Sequence, residues 1–163
     1  MAVTLMVVAM LAAPVMAKTK TEVIAKQAGG FGPGPDTKLL NTPNDRMEFA
    51  WNLLGAGVAT LYEDDWVTVI DIFASSSVID AKAKDSTTLG FADGVGIFHL
   101  KMLWTSTTVD GGFEGILQWR GIDGVNTLSA VYQGFGYYKG QTLQLSGTFD
   151  FINGQVSEGT LLS

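Results

Sequence analysis

The run Phe98-His99-Leu100-Lys101-Met102-Leu103-Trp104 is followed by Asp110-Gly111-Gly112, and then by Phe113-Glu114-Gly115-Ile116-Leu117-Gln118-Trp119-Arg120. In the first run Phe98, Leu100, Met102 and Trp104 hold one parity, against His99, Lys101 and Leu103. In the second, Phe113, Leu117 and Trp119 share a parity with Gly115, against Glu114, Gln118 and Arg120. Successive side chains of an extended strand point to opposite faces, so each run buries one side and wets the other. Asp-Gly favours the tight turns whose twist matches antiparallel strands. Together the two runs predict a hairpin with one apolar, aromatic face.

The same period extends outward from this hairpin. Met47, Phe49, Trp51 and Leu53 alternate with Glu48, Ala50, Asn52 and Leu54, and Ile79, Ala81 and Ala83 with Asp80, Lys82 and Lys84. Leu143, Leu145 and Phe149 alternate with Thr142, Gln144, Ser146 and Thr148. Gly55–Tyr62, Trp66–Phe73, Thr127–Tyr137 and Gln155–Leu162 are β-rich with less regular alternation. Turn signals separate the runs at Glu63-Asp64-Asp65, Ser75-Ser76-Ser77, Asp123-Gly124, Lys139-Gly140 and Asn153-Gly154. About eight or nine short antiparallel strands joined by hairpin turns are the pattern of an all-β barrel or sandwich. A single antiparallel β-barrel is the expected fold, because closure removes exposed edges that the sequence does little else to protect. A sandwich is the alternative.

Two segments precede the alternating region. Residues 3–13 form an apolar run closed by Pro14, and Val15-Met16-Ala17 offers small residues where a signal peptidase reads. The run is too short for a hydrocarbon core that needs about 20 residues, but has the length of a signal-peptide core. Residues 1–17 are therefore expected to be a signal peptide and the protein to be secreted, extracellular or periplasmic, with no membrane span after cleavage. Residues 18–46, which include Gly29-Gly30-Phe31-Gly32-Pro33-Gly34-Pro35, are expected to be a flexible leader, since glycine is entropically costly and proline lacks a donor. Residues 47–163 would then form the barrel.

Composition narrows the function. The 163 residues are 47% hydrophobic and contain no cysteine, so disulfides, thiolate metal sites and cysteine nucleophiles are excluded. In an exported protein this composition hints at a prokaryotic source. Ten Lys+Arg against 16 Asp+Glu give a net charge of −6, which argues against nucleic acid as a partner. The lone histidine, His99, has a parity shared with Lys101 and reads as a wet-face residue. No Gly-x-Ser-x-Gly elbow or His-Glu-x-x-His pair accompanies it. Gly134-x-Gly136-x-x-x-Gly140 misses the dinucleotide spacing and lies among strands, so no nucleotide cofactor is expected. Glu63-Asp64-Asp65 reads as a solvated turn, not a metal site. Glu114 and Arg120, roughly 20 Å apart along one strand, cannot pair with each other.

The C-terminal third carries Gly134-Phe135-Gly136-Tyr137-Tyr138-Lys139-Gly140-Gln141-Thr142-Leu143, Leu145-Ser146-Gly147 and Glu158-Gly159-Thr160-Leu161-Leu162. It resembles the closing hairpins of uncharacterised secreted prokaryotic β-proteins and, more distantly, barrels of the allene oxide cyclase and dirigent kind. The resemblance implies a barrel with an apolar interior and carries no catalytic residue onto this chain. Trp51, Trp104, Trp119, Phe98 and Phe113 fall on apolar parities and are the expected ligand-lining residues. The expected function is non-catalytic: binding a small apolar molecule inside, or a cell-surface partner outside. The alternatives are a barrel isomerase or cyclase, which would need His99, Glu114 or Arg120 pointing into an open cavity, and a purely structural or interaction module with a filled interior.

Overall fold

The computed structural model describes residues 19–42, 47–84, 95–122, 125–150 and 154–163. Residues 1–17, expected as a signal peptide, and the Asp123-Gly124 turn lie outside them. Eight antiparallel strands follow one another in chain order: β1 (Lys20–Thr42), β2 (Met47–Glu63), β3 (Val69–Lys84), β4 (Val95–Ser106), β5 (Gly111–Ile122), β6 (Val125–Gly136), β7 (Thr142–Asp150) and β8 (Gly154–Leu162). Each pairs with the next, and β1 pairs with β8 from Lys20↔Leu162 to Gln27↔Gln155, closing the sheet into a barrel. The expected all-β antiparallel barrel is the observed fold.

The hairpin that decides the fold has the expected faces. Phe98 pairs with Trp119 and Trp104 with Phe113, and all four side chains are buried in the interior. His99, Lys101, Glu114, Gln118 and Arg120 lie on the outer, exposed face. At Gly115 a Cβ would stand 2.1 Å from the Val131 carbonyl oxygen and 2.9 Å from the ring of Tyr132, its cross-strand partner, so glycine there lets the β6 backbone and a buried aromatic pack close.

Three expectations are corrected. The supposed flexible leader contains β1, which pairs with β2 through the glycine- and proline-rich stretch as far as Pro33↔Leu53. Proline is tolerated there because, among the described residues, β1 beyond Gln27 pairs on one edge only and a missing N–H on the other breaks no ladder bond. Glycine is needed where the two backbones touch: a Cβ on Gly57 would lie 2.2 Å from the Ala28 carbonyl oxygen. Next, the alternation Met47 to Leu53 is not continuous. Asn52 has φ 58°, and the β2–β3 register shifts between Ala50 and Leu53. Ala50 and Leu53 are therefore buried, while Trp51 is 39% exposed and stacks on Phe49. Asparagine is among the few side chains that accept the left-handed region. The bulge is tied down by the Asn52 N–H donating to Asp80 Oδ1 (3.1 Å) and by Thr37 Oγ1 donating to the Asn52 carbonyl (2.8 Å). Finally, Ser75-Ser76-Ser77 is mid-strand, not a turn: Ser75 and Ser77 face inward and Ser76 outward.

A two-faced interior cavity

Along its axis the barrel interior falls into two regions. At the end bearing the β4–β5 and β6–β7 turns, Phe73, Trp104, Phe113, Tyr132 and Tyr138 pack together, with ring centroids 4.7–5.8 Å apart. Such offset and tilted contacts are the favourable geometries for aromatic pairs. Leu61, Val23 and Leu143, each at most 1% exposed, close the space around them.

This packed end holds Asp71, 3% exposed. Tyr138 Oη donates to its Oδ2 (2.6 Å), while Thr108 Oγ1 (2.8 Å) and the Ile72 N–H (2.7 Å) donate to its Oδ1. Burial pushes the Asp71 pKa up, but hydrogen bonds from Ser106, Tyr138, Thr108 and Ile72 outweigh it and hold the carboxyl below its ordinary value. The Tyr138 phenol is pushed upward, by burial and then by its bond to the carboxylate. The cluster ties the β6–β7 turn to β3 and to the β4–β5 turn, a structural clasp.

Toward the other end lies a cavity of about 360 Å³. One wall consists of Phe98 and Leu100 on β4, Leu117 and Trp119 on β5 and Leu128 on β6. The opposite arc presents mostly small or uncharged polar groups, Gln155 on β8, Gln27 and Gly29 on β1, Gly55 on β2, and Ser75 and Ser77 on β3, with Phe31 and Ile79 as its bulky members. The cavity exists because this arc supplies glycine and serine where a filled barrel needs bulk. Gln27 and Gln155 are the last pair of the β1–β8 seam. Gln27 Nε2 donates to Ser75 Oγ (3.2 Å), and Gln155 Nε2 to the buried Ser157 Oγ (3.1 Å). Gln27 Oε1 is buried and accepts a hydrogen bond from no protein group. None of the described lining residues carries a titratable side chain.

Of the five aromatic candidates, Phe98 and Trp119 line the cavity, with ring centroids 4.5 Å apart. Trp104 and Phe113 belong to the packed end, and Trp51 is on the outer surface. Gln27, Ser75, Ser77 and Gln155 escaped the sequence reading. Gln27 sits in a stretch whose glycines and prolines read as a leader, the serine run reads as a turn, and inward polar residues break the alternation that marks strands. Outside the barrel a groove lined by Leu54, Val78, Leu103 and Lys101 shares Gly30, Phe31, Gly55 and Ala56 with the cavity, so the wall is thin there.

Fold and site define an antiparallel eight-stranded barrel with an amphipathic interior cavity. No family model, curated protein or solved structure matches the chain.

Proposed function

We propose that this is an exported, non-catalytic binding protein that holds a small, largely apolar molecule inside its barrel. The observation that carries the reading is the cavity of about 360 Å³ walled by Phe98, Leu100, Leu117, Trp119 and Leu128. It falls at the lower end of the roughly 300–1,000 Å³ over which small-molecule sites occur. The apolar run at residues 3–13 supports export. The polarity of the wall also favours an enclosed ligand over a membrane-spanning role: spanning barrels are apolar outside and polar inside. Here Phe73, Phe98, Trp104, Phe113, Trp119 and Tyr132 are inside, and the outer face mixes Lys101, Glu114 and Arg120 with exposed apolar residues such as Ile116 and Val131.

The cyclase alternative draws less support, because it calls for His99, Glu114 or Arg120 pointing into the cavity and all three lie on the outer, exposed face. A surface partner is the second reading, favoured by the exposed Leu54, Val78 and Leu103 around the outer groove.

The test is native mass spectrometry of protein purified from its own culture medium. A small molecule that accompanies the folded chain and is lost on denaturation is the expected result. A Leu117→Trp variant that fills the cavity should emerge bare. A molecule retained by that variant would count against the interior site.

A further inference from the structure

The cavity wall carries information about the chemistry of its occupant, and this step rests on the ligand-binding reading above. We infer that the occupant is an uncharged ring compound whose edge carries a hydrogen-bond donor. Its face lies against Phe98 and Trp119, and its polar edge meets the Gln27–Gln155 amides.

Absence of charge follows from the described lining. Its polar groups are amides and hydroxyls on β8, β1 and β3. Burying an ion without a counter-charge is far more costly than burying a hydrogen-bonded neutral group. Asp71 faces the same interior from β3, but it precedes Ser75 by four residues, roughly 13 Å at ~3.3 Å per residue. Its carboxylate is already engaged by Tyr138, Thr108 and the Ile72 amide.

The donor follows from the amide pair. Residues directly opposite on antiparallel strands hold their Cβ atoms about 4.5–5.5 Å apart on one face, so Gln27 and Gln155 are neighbours at the end of the seam. Each gives one Nε2 hydrogen to a serine. Gln27 Oε1 is buried and unanswered by the protein. A buried acceptor without a donor is costly, and an N–H or O–H on the occupant removes that cost. The ring follows from the opposite wall, where Phe98 and Trp119, with centroids 4.5 Å apart and planes tilted by 31°, both line the cavity and offer aromatic faces and edges to a flat occupant.

The test uses three naphthalenes of matched shape, read by their own fluorescence in equilibrium dialysis against the full mature chain at pH 7. Naphthalene-2-carboxamide offers an uncharged donor, 2-isopropylnaphthalene offers none, and 2-naphthoate is charged. The expected result is carboxamide binding at least about tenfold tighter than either of the others, the discrimination one answered buried acceptor provides. Gln27→Leu and Gln155→Leu, checked for fold by circular dichroism, should each erase the preference while keeping 2-isopropylnaphthalene bound. Equal binding of carboxamide and hydrocarbon, or tight binding of the naphthoate, overturns the assigned ligand chemistry but leaves the cavity as a binding site. A preference that survives both substitutions overturns the role of the amides. Failure of all three probes to bind overturns the interior-site reading itself.

Discussion

The two ends of the barrel interior are built from the same cross-strand motif and do different things. On β4 and β5, Trp104 faces Phe113 at one end and Phe98 faces Trp119 at the other. At the first end, Phe73, Tyr132 and Tyr138 cover the pair, and it becomes core. At the second, the far arc offers Gly29, Gly55, Ser75 and Ser77, and the pair becomes one wall of a cavity. An aromatic pair is therefore not in itself a binding site. Whether it fills or lines depends on the volume of the side chains across the barrel, and that choice is made on β1, β2 and β3.

If this division is right, truncation costs most at the packed end. Trp104→Ala should lower the unfolding free energy by about 3–5 kcal/mol, because its ring is fully buried and its removal leaves a void. Trp119→Ala should cost about 1–2 kcal/mol less, since one face of its ring already borders empty space and has fewer packed contacts to lose. Denaturant titration of both variants measures the difference, and equal losses would break the distinction between the ends.

The next effect isolates the clasp. Tyr138→Phe leaves a buried carboxylate one donor short and should cost about 1–3 kcal/mol near neutral pH. The Asp71 pKa is held below its ordinary value of 3.8, so its contribution is present above that pH and is lost as pH falls through the folded value. Without Tyr138 the folded pKa moves back toward 3.8, and less remains to lose on acidification. The penalty of Tyr138→Phe should therefore hold steady down to about pH 4 and shrink below it. A pH series of denaturant titrations checks this, and a penalty that grew in acid would contradict the assignment.

The same chemical change at the neighbouring tyrosine should have the opposite sign. Tyr132 is fully buried and its hydroxyl meets no protein partner, so burial pushes the phenol upward unopposed. Tyr132→Phe removes a desolvated, unpaired hydroxyl and should stabilise the chain by up to about 1 kcal/mol. Thermal unfolding of the two Tyr→Phe variants side by side gives the comparison directly.

The aromatic face of β4 and β5, which serves both ends of the interior, was far more legible in the sequence than the polar arc across the cavity. Phe98, Met102, Trp104, Phe113 and Trp119 keep strict alternation with polar residues, and the pleat turns that pattern into an inside and an outside. Trp51 misled because a single residue, Asn52, takes a left-handed conformation and flips the parity on either side of it. A bulge has no period of its own, so alternation cannot reveal it. The β1 strand was missed because its glycines and prolines read as breakers. Their tolerance depends on a long-range fact, that the second edge of β1 beyond Gln27 has no described partner. Gln27, Ser75 and Gln155 were hidden for the reason that makes them informative: they place polar groups where the pattern asks for apolar ones.

That last contrast can be tested on stability alone. In the clasp, Asp71 has its acceptors answered, so removing a partner exposes a cost that folding had avoided. At the cavity, Gln27 folds with one amide atom already unanswered, so folding has incurred that cost. Gln27→Leu withdraws the hydrogen bond to Ser75 but also removes the buried orphan, and the two changes oppose each other. The net change should be within about 0.5 kcal/mol, far below that of Tyr138→Phe. Guanidinium titration of the ligand-free chain measures it. A near-zero value means that Gln27 is not kept for folding, which leaves its amide free to serve an occupant. A loss as large as the clasp's would make Gln27 a structural residue, and the two ends of the barrel would then differ in volume but not in purpose.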